Sequence, residues 1–455
     1  MASIVRVCEE NCEYGGEGNS SLVIRLKKEK KILRLLKDSQ QSDNDLNHKL
    51  KQLQYQIQFV HNVMQPLLGS SFINYPVLIH LPANQVKMIN KIVQNLRPAH
   101  RCTKNVKEIS TYALMLRDCC LLPLQLANYS SKGPVISIEI KPKQGYMKNA
   151  GNLSGDQILK TGVCSFCMRQ HYRLKKMIIE RKSGYCPLDL FSGCKMRMQY
   201  AIKQLLETPQ NYLKIFKNQK LIFCQENKAD LLPLMDEFFG KESHEKKLDV
   251  FCDLVIQALL SPFNSEEVSN IQSNMSHKQQ FCKYSCNYLQ QNERKHSDGL
   301  PSSCVLGRIL QLQKLDSIDI AHIYSMYLKI KGSCSDLLNN SNLHLVDGYP
   351  RNEIPVEIGK HERQSSETEI SYMARKIWEF LVALSAKDFS VMVVLQQLCE
   401  NAVPLVPSEH VITGSNNKSY VFSMSVIDLD SKPLNKVEKV YNENQEMLKA
   451  YAVNV

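Results

Sequence analysis

No stretch of this chain is apolar for the roughly 18 positions that a membrane-spanning helix needs, so no span is expected. The opening "MASIVRVCEENCEYGGEG" turns acidic at once and lacks the apolar core of a signal peptide, which points to a soluble intracellular protein. The glycine-rich stretch at 14–23 is not followed by G-K-[ST], so it is not a Walker loop. There are no internal repeats, and the lysines and arginines are not gathered into a basic tail. Aromatic residues among the basic clusters are few, Tyr172 and Tyr212 being the main ones, which is a thin supply for stacking RNA bases.

What is present suits a globular protein of two or three domains or one bilobal unit: 455 residues, 43% of them apolar. A net charge of +12 calls for an anionic partner, and its dispersion favours a pocket or a broad surface over a tail. The 16 cysteines are scattered, as free thiols in a reducing compartment would be, with room for one metal site.

Apolar periodicity predicts a hairpin over 21–37, "SLVIRLKKEKKILRLLK", and helices over 44–67 and 84–96. Strands are predicted near 75–80 and 134–140, a helix over 192–206, and a hairpin over 211–224 turning at Lys217–Gln219. Helices follow over 247–260, 305–330 and 367–385, then strands over 390–396 and 420–430. Residues 264–303 are polar and poor in large aliphatics and read as a mobile insertion; 333–366 are similar. Strands followed by a largely helical part give an α+β fold with two lobes, divided at 137/138 into 1–137 and 138–455.

In "ISIEIKPKQGY" (136–146), Glu139, Lys141 and Lys143 alternate with Ile140 and Pro142, so an extended segment puts one acid and two lysines on one side. A solvated strand edge would explain that equally well. "YGGEGNSSLV" resembles the strand–loop–strand that kinases fold over ATP, although most glycine-rich hairpins are only turns. Arg34, in "ILRLLK", is either an interface ion pair or a phosphate ligand. "SVIDLDSKPLNK" ends a strand on Asp428 and Asp430, a donor set magnesium accepts beside phosphate oxygens. Asp388 stands just before another apolar strand. One Asp before a strand and a pair ending the next is the kinase order of base, then metal ligand. Cys164, Cys167, His171 and Cys186, in "CSFCMRQHYRL…SGYC", have tetrahedral zinc spacing. A rival set in the polar insertion is His277, Cys282, Cys286 and His296.

"GEGN", "IEIKPKQG", "YCPLDLFSG", "QNYLKIFKN", "AKD" and "DLD.KP" occur here in one order, and together they closely resemble the inositol-pentakisphosphate 2-kinases of the animal type, from about residue 14 to about 441. The resemblance implies a bilobal kinase-like fold with the cleft between lobes. It implies transfer of the ATP γ-phosphate to the 2-hydroxyl of inositol 1,3,4,5,6-pentakisphosphate with magnesium, giving phytate. It also implies nucleotide contacts from Gly16, Glu17, Gly18, Asn19, Arg34, Glu139 and Lys141. Substrate contacts would come from Arg101, Lys143, Arg173, Asn211, Lys214, Lys432 and Lys436. Asp388 would be the base and Asp428 the main magnesium ligand. Gly15, Tyr212, Lys436 and Val440 depart from the family pattern. Such a protein is expected to be a monomer of cytoplasm and nucleus that needs neither membrane nor nucleic acid. The alternative is a catalytically inactive, zinc-stabilised module that holds an inositol polyphosphate or RNA; a retired kinase tends to lose Asp388 or Asp428, and both are present.

Overall fold

A computed structural model describes residues 3–4, 7–18, 20–37, 46–98, 101–102, 106, 111–129, 131–148, 151, 153, 155–228, 231–240, 242–262, 280–285, 299–333 and 368–452. The fold is α+β, in two units: residues 1–65 with 73–121, and residues 66–72 with 122–455. The strand Ser131–Ile140, across which the sequence reading drew its boundary, lies wholly in the second unit.

The first unit is built on six strands: β1 (Ser3–Ile4), β2 (Cys12–Glu17), β3 (Ser21–Leu26), β4 (Lys31–Leu36), β5 (Val77–Leu81) and β6 (Thr111–Arg117). Their order is β1-β5-β6-β4-β3-β2, antiparallel except for the β1–β5 pair. The hairpin read from 21–37 is β3–β4. Alternate residues Leu22, Ile24 and Leu26 on β3 and Leu33 and Leu35 on β4 face one core. The helix Ala83–Val93 covers that face with Val86, Ile89 and Val93, spaced by three and four. Each such burial contributes about 1.5–3 kcal/mol.

The second unit holds a fully antiparallel sheet of β7 (Ser131–Ile140), β8 (Leu213–Lys217), β9 (Lys220–Phe223), β10 (Ser390–Leu398), β11 (Val411–Thr413) and β12 (Ser419–Ile427), ordered β11-β12-β10-β7-β8-β9. Residues 390–395 of the central strand β10 are all buried, so both of its faces are covered. The helices His244–Leu260, Val305–Gln313, Ile320–Ser333, Glu369–Ala386 and Lys436–Ala452 supply most of the remaining packing.

The single helix expected over 305–330 is two. The chain breaks at 314–319, where Asp319 accepts the Ala321 N–H at 3.1 Å and starts the second helix. The expected insertion 264–303 is likewise not uniform. Residues 263–279 and 286–298 lie outside the described residues, but 280–285 pack against other parts of the second unit. Arg197, fully buried and paired with Asp189 of "CPLDLFSG" at 2.8 Å, donates to the Gln280 carbonyl at 2.9 Å and lies 4.0 Å over the Phe281 ring. Lys283 N–H donates to the Gly162 carbonyl at 2.9 Å. No described helix is long and apolar enough to cross a membrane.

Candidate active site and cysteine cluster

A cavity of about 380 Å³ opens within the second unit. Lys143, Gln144 and Lys148 reach it from the segment after β7, and Arg169 and Arg173 from the helix Ser165–Lys175. Lys387 and Asp388 come from the turn before β10, Lys432 from the segment after β12, and Lys436 and Lys439 from the first turn of the helix Lys436–Ala452. Nine lysines and arginines line the cavity, with four acids (Asp316, Asp319, Asp388 and Glu443), an excess of five positive charges. A pocket so lined can replace the hydration of a densely anionic ligand, which an apolar pocket cannot.

Asp388 sits between two ammonium groups, Lys143 on Oδ1 at 3.0 Å and Lys432 on Oδ2 at 2.8 Å. Burial alone would raise its pKa, but the two lysines hold the carboxyl well below the usual carboxylate range. Asp428, about half exposed, pairs with Lys141 at 2.7 Å. The Ser390 hydroxyl joins it to Glu139, lying 3.2 Å from Asp428 Oδ2 and 3.0 Å from Glu139 Oε1. Glu139 also pairs with Lys214 at 3.3 Å, across the β7–β8 ladder.

Six of the residues singled out in the sequence therefore share one cavity: Lys143, Arg173, Asn211, Asp388, Lys432 and Lys436. Glu139, Lys141, Lys214 and Asp428 form an ion-paired row at the adjoining strand ends. Two local expectations need correction. The extended segment that would set Glu139, Lys141 and Lys143 on one side stops at Ile140, and Lys143 is left-handed, with φ 60°. Likewise β12 stops at Ile427, and Asp428 has φ 65°, so Asp428 and Asp430 are not alternate residues of a strand. Residues of this kind hold a left-handed backbone only where their surroundings impose it.

In the first unit, Gly16 takes φ 124° beside a bulge in the β2–β3 pairing, and Gly18 N–H donates to the Ser21 carbonyl at 2.9 Å. Glu17 is ion-paired with Arg97 at 2.8 Å and with Lys37, which also donates to the Gly18 carbonyl at 2.9 Å. Arg34, half-buried on β4, donates to the Ser21 hydroxyl at 3.1 Å, and the Arg101 carbonyl accepts from Arg97 at 2.7 Å. Asn19 lies outside the described residues.

The cysteine cluster differs from the expected set by one ligand. Cys164, Cys167, Cys186 and Cys282 are all buried, with their sulfurs within 4.8 Å of one another. The separations are 3.8 Å for Cys164–Cys186, 3.6 Å for Cys186–Cys282 and 3.9 Å for Cys282–Cys167. A zinc–sulfur tetrahedron with bonds of about 2.3 Å has edges of about 3.8 Å, so the cluster is compatible with zinc. His171 is not part of it. Its ring packs against Tyr284 and Tyr451 at 5.2 and 5.1 Å, and its Nε2 lies 3.4 Å from the Lys182 ammonium. The fourth position is already taken by Cys282, which the buried Arg197–Asp189 pair delivers through Gln280 and Phe281. Of the rival set only Cys282 is described; His277, Cys286 and His296 lie outside the described residues.

Sequence reasoning missed Lys148, Lys160, Arg169, Lys387 and Lys439 in the cavity, and the acids beneath them. Asp316 is buried between Lys148, at 2.6 Å, and Lys387, and Asp319 pairs with Lys160 at 2.8 Å. Burial lowers the Lys148 pKa to about 8, whereas Asp316, which burial alone would raise, is held at about 2 by the two lysines. The available signal was "KLDSID", two acids inside a stretch otherwise helical by pattern.

A family model described as inositol-pentakisphosphate 2-kinase matches residues 14–446. The chain is similar to the inositol-pentakisphosphate 2-kinase of Danio rerio, 31% identical over 463 residues covering 97% of this chain and 93% of that protein. It is also similar to the inositol-pentakisphosphate 2-kinase of Arabidopsis thaliana, 31% identical over 396 residues covering 86% of this chain and 76% of that one.

Proposed function

The chain belongs to the inositol-pentakisphosphate 2-kinase family, and from that premise we propose that it transfers the γ-phosphate of ATP to the 2-hydroxyl of inositol 1,3,4,5,6-pentakisphosphate. The observation that carries the proposal is a cavity with five excess positive charges in which two lysines converge on the carboxylate of Asp388.

Lys143, Arg173, Lys432 and Lys436 take the phosphates of the inositol ring, with Asn211 at the rim. Charge-assisted contacts of this kind are about twice as strong as neutral ones. As phosphate oxygens draw Lys143 and Lys432 away, Asp388 becomes free to accept the proton of the 2-hydroxyl. The hydroxyl oxygen then bonds to the γ-phosphorus, the bond from that phosphorus to the bridging oxygen breaks, and ADP leaves with the electron pair. Lys141 takes the nucleotide phosphates beside Glu139, and Lys214, paired with Glu139, is a further substrate contact. In the first unit taken by itself, Gly16, Gly18 and Arg34 form the proposed nucleotide loop and its strand, and Glu17, tied to Arg97 and Lys37, holds that loop in shape.

Asp428, half exposed and joined to Glu139 through the Ser390 hydroxyl, would hold magnesium, with Asp430 as a second candidate ligand, since that ion takes one or two carboxylates and completes its shell with phosphate oxygens. When bound, it neutralises charge on the transferring phosphate. The four cysteines fit a closed structural zinc site, since their sulfurs already stand at tetrahedral edge lengths. Cys164 and Cys167 would hold such a zinc at the start of the helix that carries Arg169 and Arg173, and the metal would fix that helix end in place.

The test is incubation with ATP, magnesium and single inositol phosphates, with products separated by anion exchange. A hexakisphosphate product is expected from the pentakisphosphate lacking a 2-phosphate. Asp388→Asn should lower its rate by about 10²–10⁴-fold, and no product from the unaltered protein would refute the reading.

A further inference from the structure

We infer that Gln313 is a positioning residue for phosphate transfer, acting through Lys143. It is the last residue of the helix Val305–Gln313, its side chain is fully buried, and it is not among the residues that line the cavity. Its amide is spent on three backbone groups. The nitrogen donates to the Lys143 carbonyl at 2.7 Å and to the Ala386 carbonyl at 3.3 Å. The oxygen accepts the Gly145 N–H at 2.9 Å.

Those three groups belong to two separate segments, the turn that carries Lys143 and the turn that carries Asp388. One amide therefore fastens the two chains whose side chains meet at 3.0 Å in the Lys143–Asp388 pair. Lys143 also has the left-handed φ of 60°, a conformation that is strained for a lysine. Gln313 grips that residue's carbonyl and the N–H two residues later, bracketing the strained unit. A glutamine is needed because donor and acceptor must both be present on one short, uncharged end. Asp316 holds the same two segments separately, through Lys148 and Lys387. Loss of Gln313 alone therefore loosens the turn without detaching it.

The inference rests on the kinase reading. The experiment is a double-mutant cycle of Gln313→Met with Lys143→Ala, read both as kcat/KM for inositol pentakisphosphate and as melting temperature. A misplacement of about 1 Å at such a site costs on the order of 100-fold. Gln313→Met should thus lower kcat/KM by roughly 10- to 100-fold while leaving the KM for ATP unchanged. In the Lys143→Ala background the same change should lower kcat/KM by less than about threefold, yet lower the melting temperature as much as before. A purely structural glutamine would give equal kinetic losses in both backgrounds, and that result would overturn the inference. If Gln313→Met does not accumulate as folded protein, Gln313→Asn, which withdraws the amide by one methylene, takes its place in the same cycle. An unaltered protein without activity would instead sink the kinase reading, so the two failures are distinct.

Discussion

Replacing Cys282 with serine tests the cluster where structure and spacing disagree. Cys282 lies 96 residues beyond Cys186 in the chain. Treated as a cross-link, a metal bridge closing a loop of that length contributes about 4–5 kcal/mol by restricting the unfolded chain. The second unit has about 340 residues, for which a melting entropy of about 0.7 kcal/mol/K is expected. Cys282→Ser should therefore lower the melting temperature by about 6 °C, and zinc content should fall from near one per chain towards zero. His171→Ala removes a side chain that packs against tyrosines, so zinc content should not change. Metal analysis by mass spectrometry and a thermal scan on the same samples decide it. Zinc retained in Cys282→Ser, zinc lost in His171→Ala, or no zinc in the unaltered protein purified without chelator would each refute the assignment.

Asp316→Asn leaves the buried Lys148 and Lys387 without their shared carboxylate and should cost about 3–5 kcal/mol near neutral pH, measured by urea unfolding. The folded-state pKa of Asp316, about 2 against an ordinary 3.8, lies below the unfolded value. Its stabilisation is thus complete above about pH 4 and is lost as pH falls towards 2, about 2 kcal/mol in all. The gap between unaltered and Asp316→Asn protein should narrow by that amount between pH 5 and pH 2, and a constant gap would show that the carboxylate is not the source. Lys432→Ala should raise the KM for inositol pentakisphosphate about tenfold or more with little change in the KM for ATP; equal rises in both would move Lys432 to the nucleotide.

Much of this was readable from the chain because local pattern and final position agree. The alternation in 21–37 became β3–β4, and the apolar run at 390–396 became the covered strand β10. What failed did so where long-range contacts decide. Lys143 and Asp428 look like strand positions by alternation, but ion pairs and buried amides bend both residues into left-handed turns. Cys282 sits in a polar stretch without local periodicity, and it is held in place by an Arg197–Asp189 pair more than eighty residues earlier. His171 has the right spacing from Cys167, but spacing along a helix says nothing of a thiol arriving from elsewhere. Lys148 and Lys160 stand in no motif, and Lys387 was passed over inside "AKD", because a lysine's destination depends on which buried acid waits for it.

The pairing of Asp388 with two lysines has a consequence for the resting protein. In the proposed reaction, ATP alone meets a proton acceptor already saturated with ammonium groups and therefore a poor one for water. Entry of the inositol phosphate is an exchange of ions, in which phosphates take over lysines and the displaced carboxylate gains basicity at the moment an alcohol is present to use it. The same charges that recognise the acceptor thereby act as a safety catch against idle ATP hydrolysis. On the proposed reading, discrimination between water and sugar follows from the order in which two cations change partners.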